Sequence, residues 1–435
     1  MFHSLRSLIV GCLLGAVLFA GKSNAQNTPN LDAQYSREIQ YLATNEKVKQ
    51  AFVVIEKQDE ETIRDMISLT EILAPPFGEA HKGMAFAQKL HEAGADSVWT
   101  DTEGNVLALR KGTGRETGYV ALDAHLDVVF PEGTDVHVRM VGDTLKAPGI
   151  GDDTRGLAMV LGVLKAMNQT GIRTRHDLLF VGSVGEEGLG DLRGMKYMFN
   201  RSGLNIEAWI AIDGGELGRI INAGLGSKRY KLIVRGPGGH SWGAFGLANP
   251  HHALGKVIDQ FSTAAWAFSS GASSKTSFNI GRIGGGTSVN SIPFESWMEV
   301  DMRALEPGNL TAMEALFKQC VDQAVRDYNA SGVDGKVDYE LEPIGDRPSG
   351  ELPPTLPLIQ RTMAATAYFG EIPELGRGST NINIPVSLGI PAVCIGRGGK
   401  GGGAHSLHEW YVNEDGPKAI QLALMITLAQ AGMAE

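Results

Sequence analysis

Between about Asn45 and Gly226 short apolar runs alternate with helix-like stretches, and each run stops on polar residues. Residues 106–110, 119–123, 178–184 and 209–212 are four of them. This spacing predicts an α/β sandwich whose strand ends present side chains to a cleft. From Lys228 to about Pro343 the order changes. Strands are expected at 230–234, 278–282, 287–292, 296–303 and 336–342, with helices at 251–267 and 310–328. A compact inserted α+β unit fits that order. The α/β pattern returns with a helix at 357–368, a strand at 392–395 and a helix at 417–428, so the first domain is discontinuous. The glycine-rich residues 396–403 read as a loop. The expected division is 26–227 and 344–435 for the two parts of the first domain, with 228–343 inserted between them.

Residues 1–25 read as a secretory signal peptide. Arg6 begins a short basic region, residues 8–20 are apolar, and Ser23-Asn24-Ala25 offers a small-x-small cleavage site before Gln26. Ile9-Val10-Gly11-Cys12 resembles a lipoprotein site, but too little apolar sequence precedes Cys12 and the run continues beyond it. The expectation is therefore cleavage and release, giving a secreted or periplasmic product. No later stretch has the uninterrupted apolar length of a membrane helix; residues 419–434 carry Gln421, Thr427 and Gln430 and read as a core helix.

With 435 residues, 43% hydrophobic and 7% aromatic, the chain can bury a large core in two domains. A net charge of -10 argues against general nucleic-acid binding. Only Cys320 and Cys394 survive leader removal. They can make one disulfide at most, and their settings, a helix and a buried strand, read as packing.

The stretch GIGDDTRG, residues 149–156, sets two adjacent carboxylates between glycines before a helix-like run at 157–165. Alone, such a pair is an acidic helix start. Its company points elsewhere. His125-Leu126-Asp127 follows one strand, Glu186-Glu187 follows another, Asp213 closes a third, and Gly401-Gly402-Gly403-Ala404-His405 follows a fourth. Alternate residues of a strand tip share a face, so Asp127 can accept one imidazole N–H of His125 while the other nitrogen binds a metal. Five successive elements thus end in a hard oxygen or imidazole donor. That set suits two divalent ions, zinc foremost, sharing one carboxylate.

The order His-x-Asp, Gly-x-x-Asp-Asp, Gly-Glu-Glu, Asp, His resembles the co-catalytic zinc exopeptidases and deacylases that include carboxypeptidase G, peptidase T, succinyl-diaminopimelate desuccinylase and aminoacylase. The resemblance covers nearly all of the chain after residue 25. It implies a zinc-peptidase α/β catalytic domain with an inserted α+β sandwich serving as lid and dimerisation domain. It further implies one metal on His125, Asp152 and Asp213 and a second on Asp152, Glu187 and His405. Asp152 bridges them, Asp127 orients His125, and the Asp152–Asp153 peptide is cis. Glu186 matches the general base: such a carboxylate takes a proton from the attacking water and delivers it to the leaving amine. Gly238-Gly239-His240-Ser241 resembles the family's lid histidine, which in dimers serves the neighbouring subunit's active site; a surface turn is the plain alternative. Asn290 and Arg303 match positions that hold a substrate carboxylate, and pairing of Arg303 with Asp301 or Glu299 is the structural alternative.

Two departures stand out. Thr154-Arg155 replaces the Lys-Gly or Lys-Ala of many relatives, and Thr380-Asn381-Ile382 replaces Thr-Asp-Ala. Asn cannot supply the negative charge of Asp, so an ion pair at that position is expected to be lost. The resemblance implies a homodimeric, metal-dependent amide hydrolase, foremost an exopeptidase for short peptides. An N-acyl-amino-acid deacylase uses the same chemistry. A catalytically silent peptide-binding module on the same fold is the alternative of another class.

Overall fold

The computed structural model describes residues 30–434 apart from residue 115; the signal-peptide reading falls outside the described residues. A nine-stranded mixed sheet forms the larger core. Its order is Ser97–Thr100, Val106–Arg110, Asp177–Ser183, Tyr119–His125, Ile206–Ile212, Ala392–Ile395, Arg219–Gly224, Gly350–Glu351, with Glu374–Gly378 also pairing with Arg219–Gly224. The four central strands, from Asp177–Ser183 through Ala392–Ile395, run parallel. Their C-terminal ends therefore converge on one edge, where open α/β sheets place ligand sites.

Leu178–Ser183 and Val120–His125 are buried at every position, as expected of strands covered by helices on both faces. The helix Arg155–Thr170 is buried almost all round, with Leu157, Val160, Leu161 and Leu164 in the core. Gly171, in the left-handed region at φ 62°, ends it. The helix Gly416–Ala431 is a core helix, as residues 419–434 suggested. Among the described residues no helix is long and apolar enough to cross a membrane.

The central sheet takes strands from before residue 226 and after residue 347. Between them lies a four-stranded antiparallel sheet in the order Thr276–Gly285, Glu295–Ala304, Gly226–Arg235, Asp338–Arg347. Along Glu295–Ala304 burial alternates residue by residue. Met298, Val300 and Met302 enter a core with the helices Pro250–Gly271 and Pro307–Asn329, while Trp297, Glu299, Asp301 and Arg303 face away. Phe261 meets Phe278 and Phe317 edge-on at 5.3 and 4.9 Å.

Two local expectations differ from the structure. The strand expected at 287–292 shrinks to Ser291–Ile292, which pairs with Gly239–His240. Gly285 and Gly286 turn the chain through positive φ, and Val289 stands fully exposed, with no sheet neighbour for its side chain. Within the loop expected at 396–403, Lys400–Gly402 joins a small sheet with Trp410–Val412, Thr144–Lys146 and Arg139–Val141. Its glycines permit close approach: a Cβ on Gly399 would lie 2.4 Å from the Tyr411 ring.

Cys320 and Cys394 are both free and buried. Protein starting at Gln26 should take up two equivalents of alkylating agent after denaturation and almost none when native, as read by intact mass. Rapid native labelling at either position would contradict this packing.

Candidate metal centre

His125 ends its strand with a buried ring. Its Nε2 lies 3.1 Å from Asp152 Oδ1, and its Nδ1 lies 2.9 Å from the Asp127 carbonyl oxygen. Asp152 sits in the Ile150–Thr154 turn that leads into the Arg155–Thr170 helix, and its peptide bond to Asp153 is cis. Its second oxygen, Oδ2, faces another imidazole: His405 Nε2 is 3.2 Å away, and the same nitrogen is 2.9 Å from Glu187 Oε1. One carboxylate thus lies between two histidines, one oxygen to each. His125, Asp152 and Glu187 offer donor atoms within 4.8 Å of one another, and His405 joins through Asp152 and Glu187. His405 is a non-glycine residue at φ 64°, a left-handed conformation that brings its ring back over the cluster. Asp213 lies beyond the tight cluster; its Oδ1 accepts the Gly214 N–H at 2.6 Å, and its charge helps to raise the Asp153 and Glu186 carboxyls.

Burial opposes every charge here. It drives the Glu187 carboxyl up and that of Glu186 well up, while on Asp152 it is outweighed by the His125 and His405 bonds, which hold that carboxyl far below its usual range. For His125, burial disfavours the imidazolium, but the Asp152 bond and the surrounding carboxylates carry it well above its usual value. Mixed imidazole and carboxylate donors around one shared carboxylate are the ligand chemistry of divalent transition-metal sites.

The supporting bonds differ from expectation in one respect. The Asp127 carboxylate is 3.7 Å from the His125 ring, beyond hydrogen-bond reach, and the Asp127 carbonyl orients the ring instead. The carboxylate is occupied elsewhere, accepting the N–H groups of Glu186 at 3.0 Å and Glu187 at 2.7 Å. Two further carboxylates act likewise. Asp153 accepts the amides of His125 and Gly156, each at 3.2 Å. Glu409 accepts those of Gly149, Gly151 and Asp152 at 2.8 to 2.9 Å. Sequence reasoning missed Glu409, whose only local signal is its place four residues after His405.

It also missed Arg347. This buried side chain donates from Nη1 to Glu186 Oε1 at 3.1 Å and from Nη2 to the Glu186 carbonyl. Three other expected residues lie apart from the donor cluster. His240 is exposed, and its Nδ1 accepts the Trp242 and Gly243 amides at 3.2 Å. Asn290 is exposed beside it, its carbonyl accepting the Ser241 amide. Arg303 takes the structural pairing, with Nε 2.7 Å from Asp301 Oδ2.

At the Asn381 departure the side chain makes hydrogen bonds and no ion pair. Asn381 Nδ2 donates to Asp123 Oδ2 at 2.6 Å and to Ser183 Oγ at 2.8 Å. The Trp209 indole N–H reaches the same Asp123 oxygen at 3.2 Å. The negative charge stands on Asp123, across the contact from Asn381, and burial pushes that carboxyl up to about 6.

A mixed α/β sheet with imidazole and carboxylate donors gathered at the ends of its parallel central strands is the scaffold of a metal-dependent hydrolase. Residues 121–428 match the sequence signature of peptidase family M20/M25/M40, and the chain belongs to that family of metallopeptidases. The uncharacterized protein YqjE of Bacillus subtilis (strain 168) is 24% identical over 359 residues, 77% of this chain and 90% of that one. Among solved structures, the aminopeptidase PepT of Bacillus cereus ATCC 10987 superposes with a TM-score of 0.66 at 20% identity, covering 85% of this chain and 98% of its own. The di-peptidase Dug1p of Saccharomyces cerevisiae gives 0.71 at 16% identity, over 89% and 99%.

The Asp123–Asn381 contact is built for a single carboxylate. Asn381→Asp should cost on the order of 3 kcal/mol in denaturant unfolding, because two buried acids then share one contact. Asp123→Asn combined with Asn381→Asp should regain most of that loss. A single variant as stable as the parent would overturn the one-charge account.

Proposed function

We propose that this metallopeptidase is an exopeptidase for short peptides, cutting an amide bond next to a free carboxylate, with two divalent ions, zinc foremost. His125, Asp152 and Asp213 would hold one ion; Asp152, Glu187 and His405 would hold the other. The observation that carries this reading is the Asp152 carboxylate with Oδ1 3.1 Å from His125 and Oδ2 3.2 Å from His405, a bridging posture. The chemistry of the bound ions is Lewis-acid polarisation of the scissile carbonyl and activation of water. Glu186 then accepts the proton of the attacking water and delivers it to the leaving amine. Asp127 keeps Glu186 and Glu187 in place through their amides. The match to a peptidase family over residues 121–428 supports a peptide substrate.

The reading extends to assembly and location. His240 and Asn290 sit with Trp242, Phe245 and Val289, all strongly exposed, and such an apolar patch supports a homodimer in which His240 serves the partner's centre. The apolar leader with its cleavage site at Ala25 supports export.

Elemental analysis of gently purified protein should find two divalent ions per chain, and Glu186→Gln should retain them while losing at least ~100-fold in turnover. Occupancy of one ion or fewer at full activity would end the bridged-pair reading, and near-normal turnover of Glu186→Gln would remove the base. Mixing His240→Ala with Glu186→Gln should restore activity, since hybrid dimers contain one site with both residues intact. Hybrids shown by mass spectrometry to form, yet inactive, would rule out service across the interface.

A further inference from the structure

Arg347 belongs to the second sheet, yet its side chain ends at the strand-end cluster of the first. It closes the Asp338–Arg347 edge strand, where it pairs with Ser227, and Ser227 pairs on its other side with Arg303. The two arginines thus stand on the same, helix-free face with one strand between them. Their fates differ. Arg303 is 38% exposed and tied to Asp301, whereas Arg347 and Glu186 are 5% and 6% exposed. Arg347 Nη1 bonds Glu186 Oε1 and Ser379 Oγ, each at 3.1 Å, and Nη2 bonds the Glu186 carbonyl oxygen. One rigid guanidinium therefore grips both the side chain and the main chain of the same residue.

The neighbouring bonds run in the same direction. Arg229 Nη1 donates to the Gly188 carbonyl at 2.8 Å, and the Asp346 amide donates to the Asp191 carboxylate at 2.9 Å. The loop following Asp177–Ser183 is thus held by the end of the second sheet at Glu186, Gly188 and Asp191. Among the described hydrogen bonds, Arg347 engages only Oε1 of the Glu186 carboxylate. Oε2 stays free of that grip. A guanidinium cannot give up its proton, so it can hold a carboxylate without competing as an acid.

We propose that Arg347 is a positioning residue for Glu186: its two-point grip aims the free carboxylate oxygen at the reacting water and couples the seating of the second sheet to the catalytic base. The proposal rests on Glu186 being that base. Lysine cannot reproduce the planar fork, so Arg347→Lys tests the grip with charge retained, and Arg347→Met removes both.

Each variant should keep the wild-type metal content and lose kcat by about 10- to 100-fold with KM within about threefold, as expected for a misplaced catalytic group. In the Glu186→Gln background Arg347→Met should have no further effect on residual turnover. Hydrogen exchange at the amides of residues 186–188 should quicken in Arg347→Met while the core strands keep their protection. A rise in KM at unchanged kcat would make Arg347 a substrate contact and overturn the proposal, as would wild-type kcat in Arg347→Lys or an equal loss in the Glu186→Gln background. If Arg347→Met fails to fold, Arg347→Lys alone decides. Wild-type turnover by Glu186→Gln is a separate failure, that of the base itself, read before Arg347 is altered.

Discussion

The cost of burying carboxylates governs this structure. Asp123, Asp127, Asp153, Glu186, Glu187 and Glu409 are all buried in or beside one centre, where an ionised group without partners is strongly disfavoured. For three of them the fold answers with main-chain amides. Asp127 takes those of residues 186 and 187, Asp153 that of His125, and Glu409 that of Asp152. Each amide belongs to a residue of the centre or to the one beside it. The bonds that make buried charge tolerable therefore also fix the geometry of the donors, and neither task can be altered without the other.

That double use explains what could be read from the sequence. The grouping of His125, Asp152, Glu187 and His405 could be anticipated because the strands leading to that edge each write their position as one contiguous apolar run that stops on polar residues. The helix at 357–368 and the strand at 392–395 fall where the apolar pattern puts them. The supporting groups were not legible, because their partners are remote in the chain: Glu409 meets Gly149 across 260 residues, Asn381 meets Asp123 across 258, and Arg347 meets Glu186 across 161. No spacing rule spans such distances. Likewise the small sheet at 400–402 owes its existence to Trp410–Val412, a partner that glycine-rich sequence does not announce.

The second sheet divides its two faces between stability and charge. Met298, Val300 and Met302 pack under the two long helices, while the opposite face carries Lys231, Arg282 and Glu299 around Trp297, whose ring lies 5.3 Å from Lys231 Nζ and 5.4 Å from the Arg282 guanidinium. At the end nearest the first core that face becomes an arginine row, with Asp301 shared between Arg229 and Arg303. A free face of this kind gains little from apolar burial. Its side chains are held instead by directional ion pairs.

The strand Ala392–Ile395 lies between Ile206–Ile212 and Arg219–Gly224, in the middle of the large sheet. During synthesis this means that the first core stays open along its centre until residue 395 is available, whereas the second sheet is complete, from 226 to 347, well before. The strand that enters this sheet last in sequence is thus the one that joins the donor-bearing strands to Arg219–Gly224. A half-made chain has the strands of residues 119–212 already paired and a finished second sheet beside them, yet lacks both the link to Arg219–Gly224 and the loop that brings His405 to their common edge.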